Sequence, residues 1–354
     1  MISFGMPLKA RDGLPDIDDK DMYKHVAIVG GTGQGKTTKL LHLISKVNGA
    51  KIILDPNGAL AEMVYAMHPD AIYVNKHNPV SLNPLTREHL SKSEMANELV
   101  EVLNTASRVT SKDQVEVSVL MAKIIRNAVR IGIKDLGGLS EFLEYEELRK
   151  KVNDKYWKAF DEKDSKGWYV NREQRESAKR ISARLSMLVD DEHILPFIQG
   201  NNFFAVEQLV EKGKVVIFDF RGFDDFLTAF LGGLISIYVK SYYLHVATQE
   251  SKPLFFFVDE VDLFFSSLFS RFLAEARKYN IGVIMSMHSY SQIPKDLESM
   301  IEANCYTKII LQDKHKAEVH IGQKSHLVLC DPPPEITPKN PPTFSFLRDD
   351  WCMI

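Results

Sequence analysis

His25-Val26-Ala27-Ile28-Val29-Gly30-Gly31-Thr32-Gly33-Gln34-Gly35-Lys36-Thr37-Thr38 decides how this chain is read. Residues 25–29 form a short apolar run with the character of a buried strand, and residues 36–46 continue at helical period. Between them, Gly30 to Thr37 matches G-x-x-x-x-G-K-[ST] at every defined position. Glycines let successive backbone N–H groups turn inward around an anion. The following helix aims its positive end at the same point. Lys36 brings a point charge for β- and γ-phosphate oxygens, and the Thr37 hydroxyl is a ligand for Mg2+. Gly31, Thr32, Gly33, Gln34, Gly35, Lys36, Thr37 and Thr38 are therefore the candidate contacts to ATP.

A strand–loop–helix of this kind needs a second carboxylate-bearing strand beside it. Leu254-Phe255-Phe256-Phe257-Val258-Asp259-Glu260 fits: five apolar residues end in two acids, the Walker B pattern. Asp259 is the candidate to hold Mg2+ together with Thr37. Glu260 is the candidate general base that orients and polarises the attacking water. A strand-end acidic pair that only caps the next helix is the competing reading. Asp55 and Asp219 also end apolar runs, in Ile53-Leu54-Asp55 and Ile217-Phe218-Asp219, but Glu follows neither, and we read both as structural.

Further outward, Lys51–Leu54, Ala71–Val74, Val215–Phe218, Gly282–Ser286 and Lys308–Leu311 are nearly continuous in apolar character. Strands buried on both faces look like this. Alternating with helical stretches, they predict an α/β doubly wound core with a mostly parallel sheet. The span 91–199 differs. Ser93–Thr105, Lys112–Ile131, Ser140–Val152 and Arg172–Val189 read at helical period, Ser91 with Glu94 forms a capping-box pattern, and the charged, aromatic segment Asp154–Tyr169 includes a surface loop. The organisation expected is a discontinuous nucleotide-binding domain over 1–90 and 200–329, an all-α insertion over 91–199 and an extended tail over 330–354. Pro332, Pro333, Pro334, Pro338, Pro341 and Pro342 make regular structure in that tail implausible.

Composition excludes several classes. The chain has 354 residues, and 44 Lys and Arg against 47 Asp and Glu leave a net charge of −3, unlike a uniformly basic nucleic-acid binder. Cys305, Cys330 and Cys352 are too few for a disulfide framework, which points to a reducing, cytoplasmic setting. The apolar stretch Phe226–Val239 is shorter than the roughly 20 residues of a membrane span, so a buried core helix is expected there. Met1 to Asp21 is polar, carries Asp16, Asp18, Asp19 and Asp21, and shows no leader pattern. Arg172, Arg175 and Lys179 share one helix face that suits either DNA phosphates or, with Glu173 and Glu176, plain solvent. No base-reading motif is present, so DNA contacts are expected to be to the backbone.

These motifs, taken together, resemble the HerA/FtsK superfamily of DNA-pumping P-loop ATPases, most like its TraG/TraD-type conjugative coupling and HerA-like branch. The carrying residues are the phosphate loop, Ile53-Leu54-Asp55-Pro56-Asn57-Gly58, Ser81-Leu82-Asn83-Pro84-Leu85, Phe257-Val258-Asp259-Glu260, Ala276-Arg277-Lys278-Tyr279-Asn280-Ile281-Gly282 and Ser286-Met287-His288-Ser289-Tyr290-Ser291-Gln292-Ile293-Pro294. The resemblance implies a RecA-like core, ATP and Mg2+ as cofactors, and a homo-oligomeric ring, usually a hexamer, around double-stranded DNA. It implies an arginine finger at Arg277, supplied in trans to a neighbour's γ-phosphate, where a helix C-terminal arginine facing solvent is the alternative. His288 stands where the family carries a polar sensor, most often Gln. Few residues precede the first strand, so neither the family's N-terminal β-barrel nor its membrane helices are expected. A relaxase, nuclease or capsid protein is the implied partner class. An ATP-dependent ring scaffold with slow turnover and a polypeptide-pumping ATPase remain the competing functions.

Overall fold

The apolar runs assemble into one ten-stranded sheet. The structure, a computed structural model, describes residues 6–7, 19–87, 89–110, 117–199, 204–264, 267–293, 295–330 and 334–336. In chain order the strands are β1 (Met6–Pro7), β2 (Val26–Val29), β3 (Ala50–Asp55), β4 (Ile72–Val74), β5 (Val215–Asp219), β6 (Leu254–Val258), β7 (Ile281–Met287), β8 (Thr307–Leu311), β9 (Lys316–Ile321) and β10 (Lys324–Leu329). Their order across the sheet is β1-β10-β9-β8-β2-β7-β6-β3-β5-β4. The seven strands from β8 to β4 are parallel, and β9, β10 and β1 extend the sheet antiparallel. This is the expected α/β class with a mostly parallel sheet.

Both faces of the parallel part are covered. Helices Lys36–Lys46 and Ala59–Met67 bury Leu40, Ile44, Leu60 and Val64 with Ile53, Phe255, Phe257 and Ile284. On the opposite face Phe256 meets Phe272 of helix Ser267–Glu275 edge-on at 5.7 Å. Every residue of β2, β3, β5, β6 and β7 is buried, which is why those runs read as unbroken apolar stretches. The antiparallel hairpin β9–β10 was not expected. Strand β9 alternates buried and accessible positions, and β10 buries only Val328, so neither presents a continuous buried apolar run.

The chain divides into two units. One is the sheet unit, residues 1–78, 205–223 and 238–354; the other is helical, residues 79–204 and 224–237. The helical unit is wider than residues 91–199. Val80, Leu82 and Leu85 are buried, and Asn83 Nδ2 donates to Lys134 O at 2.9 Å. Gly233 lies where a Cβ would touch Val102 at 3.1 Å. The helix containing Gly233 is Asp225–His245, longer than its apolar stretch suggested. By length and composition it could cross a membrane, but most of its apolar window is buried inside the protein, as expected of a core helix. Of the extended tail read over 330–354, only residues 330 and 334–336 lie within the described residues.

In the helical unit, Ser91 and Glu94 form the reciprocal capping box at the start of helix Lys92–Thr110. The expected helix over 140–152 is instead two, Leu136–Glu144 and Glu146–Lys150. Buried Arg149 accounts for the break. Its guanidinium donates to Phe142 O and Leu143 O at 2.9 and 2.7 Å, ending the first helix, and forks onto Asp161 at 2.9 and 3.0 Å. The segment 154–169 opens with a helix, Lys155–Phe160, capped by Asp154, and its loop follows from Asp161.

Candidate active site

Parallel strands end at a common edge, and the chain places its motif loops there. The N–H of Gly30 continues the ladder to Met287 O at 3.1 Å, so the phosphate loop leaves β2 beside the end of β7. The N–H of Asp259 donates to Leu54 O at 3.0 Å, and Phe220 N to Asp55 O at 2.9 Å. Residues far apart in sequence thus meet at the carboxyl ends of β2, β7, β6, β3 and β5, where open α/β sheets bind ligands.

The phosphate loop requires glycine at two points. Gly33 and Gly35 have φ of 75° and 96°, a left-handed region other residues resist, and open space surrounds the position of an added Cβ at both. Inside the loop the Gly31 N–H donates to Gln34 Oε1, and Gln34 Nε2 reaches Gln312 O at 3.1 Å. Lys36 is buried, its Nζ donating to Gly30 O at 2.8 Å.

Lys36 Nζ also lies 3.2 Å from His288 Nδ1, and His288 Nε2 lies 3.4 Å from Glu260 Oε1. An ammonium only donates, so the Nδ1 facing it carries the lone pair and Nε2 carries the hydrogen aimed at Glu260. Glu260 adopts φ 52° and ψ 59°. For a non-glycine residue that backbone costs on the order of 1–2 kcal/mol. It turns the chain sharply out of β6 into the 3₁₀ turn Val261–Leu263. Asp259 is buried, and that burial raises its carboxyl above the usual range, against the bond donated by Ser286.

These groups line one cleft of about 660 Å³. Thr32, Gly33, Gly35, Lys36, Thr37, Thr38, Asp259, Glu260 and His288 are all on its wall. Asp55 is there too, with Asn57, Lys314, His315 and Cys330. Asp55 caps helix Ala59–Met67, accepting from Asn57 N at 2.9 Å and Ala61 N at 2.8 Å. Burial pushes it up to about 6, and the charge of Asp259 adds to that. Asp219 is not on the cleft wall; it accepts from Tyr73 Oη at 2.7 Å and Arg221 at 2.8 Å. Lys314 and His315 escaped the sequence reading because they sit in the turn that leads from β8 into the unexpected strand β9.

Arg277 does not join this cleft within its own chain. It is exposed, in the 3₁₀ turn Ala276–Tyr279 that precedes β7, whereas His288 follows β7. Seven strand residues separate the two ends, roughly 20 Å at the rise of a β-strand. The helix Ser267–Glu275 ends before Arg277, and β6 and β7 are neighbours inside the sheet, so Arg277 stands at the amino ends of the strands.

The open glycine loop, the buried lysine and the acid pair suit a nucleotide triphosphate. Among the described residues no cluster of three or more His, Cys, Asp or Glu side chains could hold a metal by itself. Thr37 and Asp259 offer two oxygen ligands, the number expected when phosphates and water complete a Mg2+ shell.

The fold is shared with solved structures of low sequence identity. The bacterial conjugative coupling protein TrwBdeltaN70 in complex with sulphate matches at TM-score 0.68 and 14% identity, over 95% of this chain and 91% of that one. Plasmid coupling protein TrwB in complex with ADP and Mg2+ matches at 0.68 and 14%, over 94% and 92%. VirB4 of Thermoanaerobacter pseudethanolicus matches at 0.61 and 14%, over 93% and 97%. No curated protein matches the sequence. The profile of the type IV secretion-system coupling protein DNA-binding domain matches residues 13–323, most of the chain, and the chain therefore belongs to that family.

Proposed function

We propose that this chain is an ATP-hydrolysing motor of the coupling-protein type, which assembles as a homo-oligomeric ring, a hexamer by the resemblance it bears, and moves double-stranded DNA. The observation that carries the reading is the meeting of Lys36, Thr37, Asp259, Glu260 and His288 on one cleft. Lys36 and the loop N–H groups bind the phosphates. Thr37 and Asp259 hold Mg2+, which when bound offsets the negative charge of the phosphate oxygens. Glu260 takes a proton from the attacking water, and His288, between Lys36 and Glu260, orients that carboxylate. Arg277 of a neighbouring subunit supplies positive charge to the transition state. DNA is held through its phosphates, in the cytoplasm, and a relaxase or nuclease is the partner class that delivers it. The fold of TrwB, solved with ADP and Mg2+, and the family profile support the reading.

The test is ATP turnover by the purified chain with and without double-stranded DNA of unrelated sequences, at low and physiological salt. Turnover should rise with DNA of any sequence, and the rise should shrink as salt displaces phosphate contacts. Turnover indifferent to DNA at low salt moves the assignment to a ring scaffold or a polypeptide pump.

A further inference from the structure

Strand β7 reads Ile281-Gly282-Val283-Ile284-Met285-Ser286-Met287, and Ser286 is its one polar side chain. It is fully buried. A buried hydroxyl without partners is costly, so its bonds explain its presence. Val258 of β6 pairs with Met285 of β7, which puts the next residues, Asp259 and Ser286, opposite one another. The Ser286 hydroxyl donates to Asp259 Oδ1 and accepts the N–H of Glu260 at 3.2 Å. One oxygen therefore engages both the carboxylate assigned to the metal and the backbone of the residue assigned as base.

We infer that Ser286 is a positioning residue that couples the cation site to the catalytic base. Its single hydrogen occupies Asp259 Oδ1 and leaves Oδ2 for the cation. Its lone pair holds the Glu260 N–H and so secures the left-handed turn at φ 52° that directs Glu260 into the cleft. Neither Met285 nor Met287 offers a hydroxyl, and no other side chain is recorded donating to Asp259 among the described residues. The inference rests on the reading of Asp259 as a Mg2+ ligand, and it adds a residue outside both the phosphate loop and the Asp259–Glu260 acid pair.

The experiment measures binding of a fluorescent ATP analogue to the full chain as Mg2+ is titrated, and separately in chelator. Ser286→Ala should raise the Mg2+ concentration for half-maximal binding about tenfold or more, as loss of a group that orients a metal ligand does. Affinity in chelator should stay within about twofold, because Lys36 and the loop are untouched. Ser286→Thr, or Ser286→Cys if the added methyl is not accommodated, should recover part of the shift by restoring a donor. In an Asp259→Asn background, Ser286→Ala should no longer move the Mg2+ dependence. An unchanged Mg2+ requirement in Ser286→Ala overturns the inference while leaving the nucleotide assignment standing. So does equal weakening with and without Mg2+, the mark of a packing defect. A parent chain that binds no nucleotide overturns both.

Discussion

Lys36 Nζ and His288 Nδ1 lie 3.2 Å apart although 252 residues separate them. The imidazole stands between the phosphate-loop lysine and Glu260, whose Oε1 is 3.4 Å from Nε2. No charge pattern in either segment announces the contact. It arises because β2 and β7 are parallel neighbours, with Val29 beside Met287, so both chains leave the sheet at one place.

His288→Gln should preserve more ATP turnover than His288→Ala. Glutamine offers both an acceptor toward Lys36 and a donor toward Glu260, whereas alanine offers neither. Loss of one preorganised polar group costs about 10²-fold or more in kcat. Steady-state kinetics of both variants decide the matter, and equal rates would mean that the bridging contact has no part in hydrolysis.

Lys36→Ala and Glu260→Gln should separate binding from chemistry. A charge-assisted hydrogen bond contributes about 1.5–3 kcal/mol, so Lys36→Ala should weaken nucleotide binding roughly 10- to 100-fold and lose turnover with it. Glu260→Gln should bind ATP near normally yet turn over about 10²–10⁴-fold more slowly. Equilibrium binding and single-turnover hydrolysis, measured on the same preparations, check both. Parent-like hydrolysis by Glu260→Gln removes that residue as base.

Arg277→Ala should bind ATP and fail to hydrolyse it, with a loss of about 10³-fold or more, if the finger acts in trans. The motivating observation is its place at the amino ends of the strands, away from its own phosphate loop. Mixing Arg277→Ala with Glu260→Gln subunits should restore part of the activity, since some interfaces then join an intact Glu260 to an intact Arg277. Absence of recovery in oligomers shown to be mixed would sink the idea, leaving Arg271 as the next arginine to test.

Stability should depend on pH through His25, a residue the motifs do not use. Val283 N–H donates to His25 Nδ1 at 3.0 Å, so Nε2 carries the hydrogen and donates to Leu273 O at 2.8 Å. Burial lowers this histidine from 6.5 to about 4, and Arg277 adds to the shift. The unfolded chain therefore takes up a proton that the folded one refuses. The contribution is intact above pH 6.5 and is lost as pH falls toward 4, about 3 kcal/mol in all. Urea unfolding at pH 7.5, 5.5 and 4.5 should show the parent falling more steeply than His25→Gln. Parallel declines would remove His25 as the source.

Much of the architecture follows from local chemistry. An apolar run, a glycine-rich turn and a helix announce the phosphate loop because phosphate binding is done by consecutive backbone groups. The parallel strands announce themselves because burial on both faces forbids polar interruption, as in Phe255, Phe256 and Phe257. The hairpin β9–β10 was missed because its inward residues, Ala317, Val319 and Ile321, are separated by accessible ones. The break at Tyr145 was missed because its cause, Arg149, acts on carbonyls through the fold.

The phosphate loop, the acid pair and the fold class were thus determined by the sequence itself, since each depends on residues adjacent along the chain. Only the tertiary structure decided that His288 bridges Lys36 and Glu260, that Ser286 holds Asp259, and that Arg277 stands at the other end of its strand. Those relations depend on strand order and register, and pairing β2, β7 and β6 as neighbours is a property of the whole sheet. A side chain's period of two says which face it occupies, but only the packed sheet says which residue it meets there.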